Sequence, residues 1–282
     1  MTVPQQPAWS AAFDEDVLES LEAIPPIEAI TPEWAFGDAT GRGVKVAVVD
    51  SGVEVDHPAI AGRVAGYVSF TKGEEEPVTS TDPHDDALGH GTACAATVLE
   101  HASDCDLYSV RVLGPGASTA QIFLEGLRWV IENGIQVANL SLGTTKREYF
   151  GQFYEIADRA YFRNVIFVSA ANNFPIPSAP CEYASVISVA AHRGQDPSVF
   201  YYNPRPPVEF GAPGVDVRIA WKGGGWMTAS GNSFAAPHIT GIVARILEKH
   251  PRLTPFQVKG VLRALSANVE HAVAAAPGVA SR

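Results

Sequence analysis

Val44-Lys45-Val46-Ala47-Val48-Val49-Asp50-Ser51-Gly52 is the stretch on which the fold turns. The apolar run Val44–Val49 has the pattern of a strand buried on both faces, as in a parallel sheet. Outward from it, strand and helix patterns alternate. Strands are predicted over Leu107–Val112, Ile135–Leu140, Val165–Ala170 and Val186–Ala191, with short strands and turns over residues 199–231. Helices are predicted over His90–Glu100, Thr119–Asn133, Phe150–Arg163, Ser233–His250 and Pro255–Leu265. Such alternation implies an α/β fold with a mostly parallel central sheet covered by helices on both faces. Glu54–Arg63 reads as a loop with a short turn. Thr71–Leu88, polar and acidic with Pro77 and Pro83, reads as a surface loop. Residues 1–40 read as an arm packed on a body of residues 41–282. Within the arm, Asp14–Ala23 is a short helix candidate, stopped by Ile24-Pro25-Pro26.

The bulk numbers narrow the class. At 282 residues one α/β domain can bury a full core. A net charge of -11 argues against a nucleic-acid partner. The polar, acidic start lacks the basic and apolar regions of a secretory signal, and no apolar run is long enough to span a membrane. Cys94, Cys105 and Cys181 are too few, and odd in number, for a disulfide framework. Cys94 reads as a packed core thiol, Cys105 and Cys181 could pair or stay free with the free state favoured, and the expected location is the cytoplasm.

Four positions carry candidate chemistry. Asp50 ends the Val44–Val49 run, and catalysis in parallel sheets collects at the carboxyl ends of strands. Alone it reads as a turn Asp before Gly. His90, in Gly89-His90-Gly91-Thr92, opens a small-residue helix and is poised as a base near neutral pH. The other seven histidines read as surface or capping residues. Ser233, in Gly231-Asn232-Ser233-Phe234-Ala235-Ala236-Pro237-His238, opens a long apolar helix whose N-terminus favours developing negative charge. An N-cap serine is the bland alternative, opposed by Pro237, read as lying in the first turn. Asn172 ends the strand Val165–Ala170 with an amide able to donate to an oxyanion. Together these are the acid, base, nucleophile and oxyanion donor of acyl transfer.

The blocks Val46–Gly52, Gly89–Thr92 and Gly231–His238 resemble the three signature blocks of the subtilase family, in that family's order of Asp, His and Ser. Asn139-Leu140-Ser141-Leu142-Gly143 resembles its substrate-binding strand, and Gly211–Val215 the segment before its nucleophile region. The resemblance spans roughly residues 40–265. It implies a subtilisin-like three-layer α/β/α fold and a serine endopeptidase acting on peptide or protein. In that reading Asp50 supports His90, His90 deprotonates Ser233, and Asn172 with the Ser233 N–H holds the oxyanion. Ser141, Leu142 and Gly143 pair with the substrate backbone, and Ala171 lines the specificity pocket.

The chain departs from the family pattern at Ala171, where Gly usually stands, so a methyl narrows the pocket. Asn232 replaces a common Thr and Phe234 a common Met. The short Glu100–Asp106 connection implies that the tight calcium site of secreted relatives is absent, and no prodomain of family type is expected. Glu74–Glu76, Asp82, Asp85 and Asp86 offer at most weak calcium binding, because no alternating ligand spacing is visible. No metal or other cofactor is therefore expected. Residues 71–90 hold six acids and one Lys, which suggests a preference for basic residues in the substrate. Roles in general intracellular proteolysis or in limited processing, such as leader removal, both fit. An inactive peptide-binding module is opposed by retention of every catalytic residue type. An α/β-hydrolase esterase is opposed by the absent Gly-x-Ser-x-Gly elbow.

Overall fold

Along Lys45–Asp50, the first strand (β1), successive side chains enter opposite cores. Val46 and Val48 pack with Cys94, Ala95, Ile239 and Val243, whereas Ala47 and Val49 pack with Phe123, Leu127 and Phe153. Burial on both faces explains the continuous apolar run.

The computed structural model describes residues 29–74, 77–114 and 119–269. The remaining strands are β2 (Gly66–Thr71), β3 (Val78–Ser80), β4 (Asp106–Arg111), β5 (Val137–Leu140), β6 (Ile166–Ala170), β7 (Ile187–His192), β8 (Tyr201–Tyr202), β9 (Phe210–Pro213), β10 (Val217–Trp221) and β11 (Gly225–Ala229). Nine form one sheet in the order β3-β2-β4-β1-β5-β6-β7-β9-β8. Only the edge pairs β2–β3 and β8–β9 run antiparallel. The strands β10 and β11 form a separate hairpin. The helices are α1 (Pro32–Ala35), α2 (His90–His101), α3 (Ala120–Glu132), α4 (Phe150–Phe162), α5 (Asn232–Lys249) and α6 (Pro255–Leu265). Residues of α2, α5 and α6 build the core on one face, and those of α3 and α4 the core on the other. This is the expected three-layer α/β/α arrangement with a mostly parallel sheet.

Chain order reverses between β1 and β5. Strands β2 and β4 lie to one side of β1, and β5, β6, β7 and β9 follow on the other. Crevices at such switch points, outside the carboxyl ends of strands, are where α/β sheets hold their ligands.

Three expectations are corrected. Two strands were missed. The first, β2, is buried in its middle, and β3 lies inside Thr71–Leu88, so that segment is not all loop. A three-residue edge strand is too short to show a period. Second, the other histidines are not all superficial: His57 is fully buried and His238 nearly so. Third, Pro237 lies in the second turn of α5, not the first. The helix expected over Asp14–Ala23 lies outside the described residues.

Residues 31–42 run against the carboxyl half of α5. The N–H groups of Thr40, Gly41 and Arg42 converge on one Glu248 oxygen at 2.8, 2.6 and 2.9 Å. Arg245 donates to the carbonyls of Ala39 and Gly37 and stacks over the Phe36 ring. Trp34 stacks on His250 at 4.1 Å.

Helices α2 and α5 cross where Gly241 leaves no room for a side chain: a Cβ there would lie 2.6 Å from His101 Cβ. At this crossing His101 Nε2 and His238 Nδ1 share one proton across 2.8 Å. Burial, then Arg245, lowers the His101 pKa to about 4; burial, then His101 and His192, lowers that of His238 to about 3. Below pH 6.5 the unfolded chain therefore binds protons that the folded chain refuses, and stability falls with pH. Each histidine steepens the loss by up to ~1.4 kcal/mol per pH unit. Denaturant midpoints measured from pH 6.5 to 4.5 should fall steeply in the wild type. They should fall less in the double variant His101→Gln/His238→Asn, which keeps a neutral hydrogen-bonded pair.

Candidate active site

Three adjacent strands end together at the switch point. Asp50 closes β1, Ser141 follows the last residue of β5, and Asn172 stands two residues beyond β6. Asp50 is wholly buried. Both of its carboxylate oxygens lie 2.9 Å from Nδ1 of His90, the first residue of α2, and Oδ1 also accepts from Ser51 N. Gly91 makes this approach possible, since a Cβ there would sit 2.1 Å from the Gly52 carbonyl oxygen. Burial disfavours a charge on His90. The Asp50 carboxylate, by charge and hydrogen bond, and the Asp86 charge outweigh that, so its pKa is raised above the usual 6.5.

The sequence places Asp86 in an acidic surface loop, as a candidate weak calcium ligand. It is buried, and five donors use up its carboxylate. Ser51 Oγ and the N–H groups of Leu88 and Gly89 meet Oδ1; the N–H and hydroxyl of Thr92 meet Oδ2. These bonds, led by those from Thr92 and Ser51, hold its pKa below the usual range despite burial, which pushes the other way. Asp86 thus caps the start of α2 and fastens it to the end of β1. Four of the five donors come from residues 88–92, just downstream, but the acid-rich run around Asp86 masks them as a solvated face.

Ser233 is the second residue of α5. Pro237 has no N–H to give the carbonyl four residues earlier, so Ser233 O is released from the helix ladder. Ser141 Oγ donates to it at 2.8 Å and the Cys94 thiol at 3.5 Å. Ser141 Oγ in turn accepts from Asn139 Nδ2, whose side-chain oxygen accepts from Thr240 of α5. The Ser233 hydroxyl donates to Ser141 O at 3.3 Å and makes no hydrogen bond to His90. The two residues are nonetheless neighbours. Cys94 Sγ reaches both Ser233 O and, at 4.0 Å, Asp50 Oδ2, and the Phe234 ring lies 5.6 Å from the imidazole.

A polar cavity of about 150 Å³ opens beside Ser233. Ser141, Leu142, Gly143, Ala171 and Asn172 all line it, joined by Ser178. Ser178 was missed by sequence reasoning. It arrives through long-range pairing of Thr144 with Ala179, which no local pattern reveals. The segment Ser141–Gly143 is not itself a strand, since β5 stops at Leu140. The Ser141 side chain is nearly buried and engaged with Asn139 and the Ser233 carbonyl. Asn172 Oδ1 accepts from Phe174 N, which leaves its amide nitrogen without a partner among the described residues. Cys94, Cys105 and Cys181 are buried free thiols, with pKa values pushed up first by burial. Asp50, His90 and Cys94 present ligand atoms within 4.8 Å of one another. The carboxylate already holds the imidazole there, so the grouping reads as a hydrogen-bonded pair beside a core thiol.

Removing Asp86 strands several buried donors. Asp86→Ala should therefore lower the unfolding free energy by about 3 kcal/mol, measured by urea denaturation at pH 7.5. An unchanged midpoint would show that these bonds contribute nothing.

Comparison with known proteins agrees with this geometry. The Subtilase family model matches residues 41–278. A thermostable alkaline protease from Halalkalibacterium halodurans is 33% identical over 234 residues, covering 78% of this chain and 61% of that protein. Subtilisin E of Bacillus subtilis is 32% identical over 236 residues, covering 78% and 59%. The chain thus spans about three fifths of the length of these curated relatives. The crystal structure of a cold adapted subtilisin-like serine proteinase superposes with a TM-score of 0.66 at 29% identity, covering 80% of this chain and 83% of that one. With three signature blocks gathered at one switch point and a family match over most of its length, this chain belongs to the subtilase family.

Proposed function

We propose that the chain is a serine endopeptidase in which Asp50, His90 and Ser233 form the proton path. The observation that carries this reading is the buried Asp50 carboxylate gripping His90 Nδ1 beside a serine at a helix N-terminus. With Nδ1–H held by Asp50, the other ring nitrogen, Nε2, is the basic one. The reaction requires the Ser233 hydroxyl to exchange the Ser141 carbonyl for that nitrogen, and catalytic hydrogen bonds commonly form only when substrate binds. Ser233 then attacks the scissile carbonyl and His90 takes its proton. Asn172 Nδ2 and the Ser233 N–H receive the oxyanion, and His90 protonates the leaving amine. Water repeats the sequence on the acyl-enzyme. Because Ser141's side chain is engaged, substrate pairing along residues 141–143 falls to the backbone, as for an added β-strand.

The substrate is a peptide or protein, and the working compartment is the cytoplasm. Three buried free thiols, with no disulfide among the described residues, support a reducing environment. Limited processing of a precursor is the role proposed. A preference for basic substrate residues rests on Asp85, packed against Gly52 two residues from Asp50, and on neighbouring Asp56. Indifference to basic residues in a peptide library profiled at low and high salt would discard that preference. Rapid, broad digestion of casein would discard the processing role. No metal or other cofactor has a part in the reaction as proposed.

A fluorophosphonate probe should label the wild type and fail on Ser233→Ala; no labelling of either refutes the assignment. Asn172→Ala should lose about 100- to 1000-fold in kcat, a figure carried over from oxyanion-donor removal in subtilisin itself rather than derived from this site.

The base works only when neutral. With the His90 pKa raised, activity should fall with acidification through a midpoint above 6.5. Asp86→Asn removes one of the charges that raise it, so the acid limb of kcat/KM should move to lower pH. A limb that stays put or moves upward contradicts this.

A further inference from the structure

Asn232 stands between the two proposed catalytic elements, and its side chain is fully engaged. Its Oδ1 accepts from the N–H of Ala191, near the end of β7, at 2.8 Å. Its Nδ2 donates to the carbonyls of Asn172 at 3.0 Å and Ala171 at 3.2 Å. Its own N–H donates to Asn173 Oδ1 at 2.9 Å. The amide orientation is unambiguous, because one end faces a donor and the other faces two acceptors.

We propose that Asn232 is a positioning residue that clamps the Ala171–Asn173 loop to the N-terminus of α5, fixing Asn172 relative to Ser233. The proposal rests on the oxyanion role assigned to Asn172 above. The clamp works on the backbone of Asn172, while Phe174 N holds its side-chain oxygen. Between them, main chain and amide plane are set before any substrate arrives, as an oxyanion donor requires. The Thr common at this position in the family has one hydroxyl, with one proton to donate. It cannot accept from Ala191 and also donate to two carbonyls. The Asn thus makes a set of contacts that a Thr there could not, and is not a neutral replacement.

Loss of the clamp should be felt in the transition state and not in substrate binding. For Asn232→Ala and Asn232→Thr, kcat on a peptide substrate should fall by about 10- to 100-fold, the effect of a misplacement of about 1 Å, while KM stays within about twofold. Asn232→Asp turns an oxygen onto the two carbonyls and should be slowest of the three. The decisive measurement is a double-mutant cycle. If Asn232 acts through Asn172, the double variant Asn172→Ala/Asn232→Ala should be no more than about twofold slower than Asn172→Ala alone. Thermal melting of each variant separates slow enzyme from unfolded enzyme, and Asn232→Thr serves if Asn232→Ala does not fold. An Asn172→Ala enzyme as fast as wild type would remove the oxyanion reading, and this proposal with it. A slow Asn172→Ala enzyme, alongside an Asn232→Ala enzyme within twofold of wild type or losses that multiply in the double variant, overturns the clamp alone.

Discussion

A carboxylate with no access to water has to be matched from inside the protein, and Asp50 is such a group. An unpaired buried charge is among the costliest features a fold can carry. Its surroundings are the remedy: the imidazole of His90 across both oxygens, the N–H of Ser51, and the Cys94 thiol at the margin. Each comes from a segment that must approach closely, which requires Gly91 to be bare and the start of α2 to be fixed. The fixing is done by a second buried carboxylate, Asp86, which is stabilised in turn by five donors. One buried acid therefore sets the terms on which the strand end and the helix start can meet.

The long helix α5 transmits order across the molecule. Its first turn presents Ser233, and its second contains Pro237, which frees the Ser233 carbonyl for Ser141 and Cys94. Its middle crosses α2 at Gly241 and pairs His238 with His101. Its last turns hold residues 31–42 through Arg245 and Glu248. A packing change at any of these points tilts the same rigid rod. For that reason residues far from the cavity matter to the position of the serine.

The alternation of apolar strands with helices was legible because a sheet buried on both faces demands it, and apart from β2 every long element appeared close to its expected bounds. The edge strand β3 was not, since three half-exposed residues carry no period. Asp50, His90, Ser233 and Asn172 were legible as polar residues at element ends flanked by glycine or small residues. Ser178 and the bonds of Asn232 were not, because they depend on a strand bridge made only in the fold or on partners 41 to 61 residues away. Asp86 misled most. In sequence it belongs to an acid-rich run that looks solvated, and only the fold gives it donors.

Ser141 illustrates a further division of labour. The sequence marks it as a substrate contact, yet its hydroxyl holds the carbonyl of Ser233 and its backbone oxygen takes the serine hydroxyl. A side chain committed in this way cannot also select among substrates. In the endopeptidase reading, recognition along 141–143 then rests on backbone groups that every peptide satisfies equally. Discrimination is left to side chains elsewhere around the site, among them Ala171 and Ser178, which line the small cavity. In that reading, the indifference to sequence along 141–143 goes back to one hydrogen bond, from the Ser141 hydroxyl to the carbonyl that Pro237 releases.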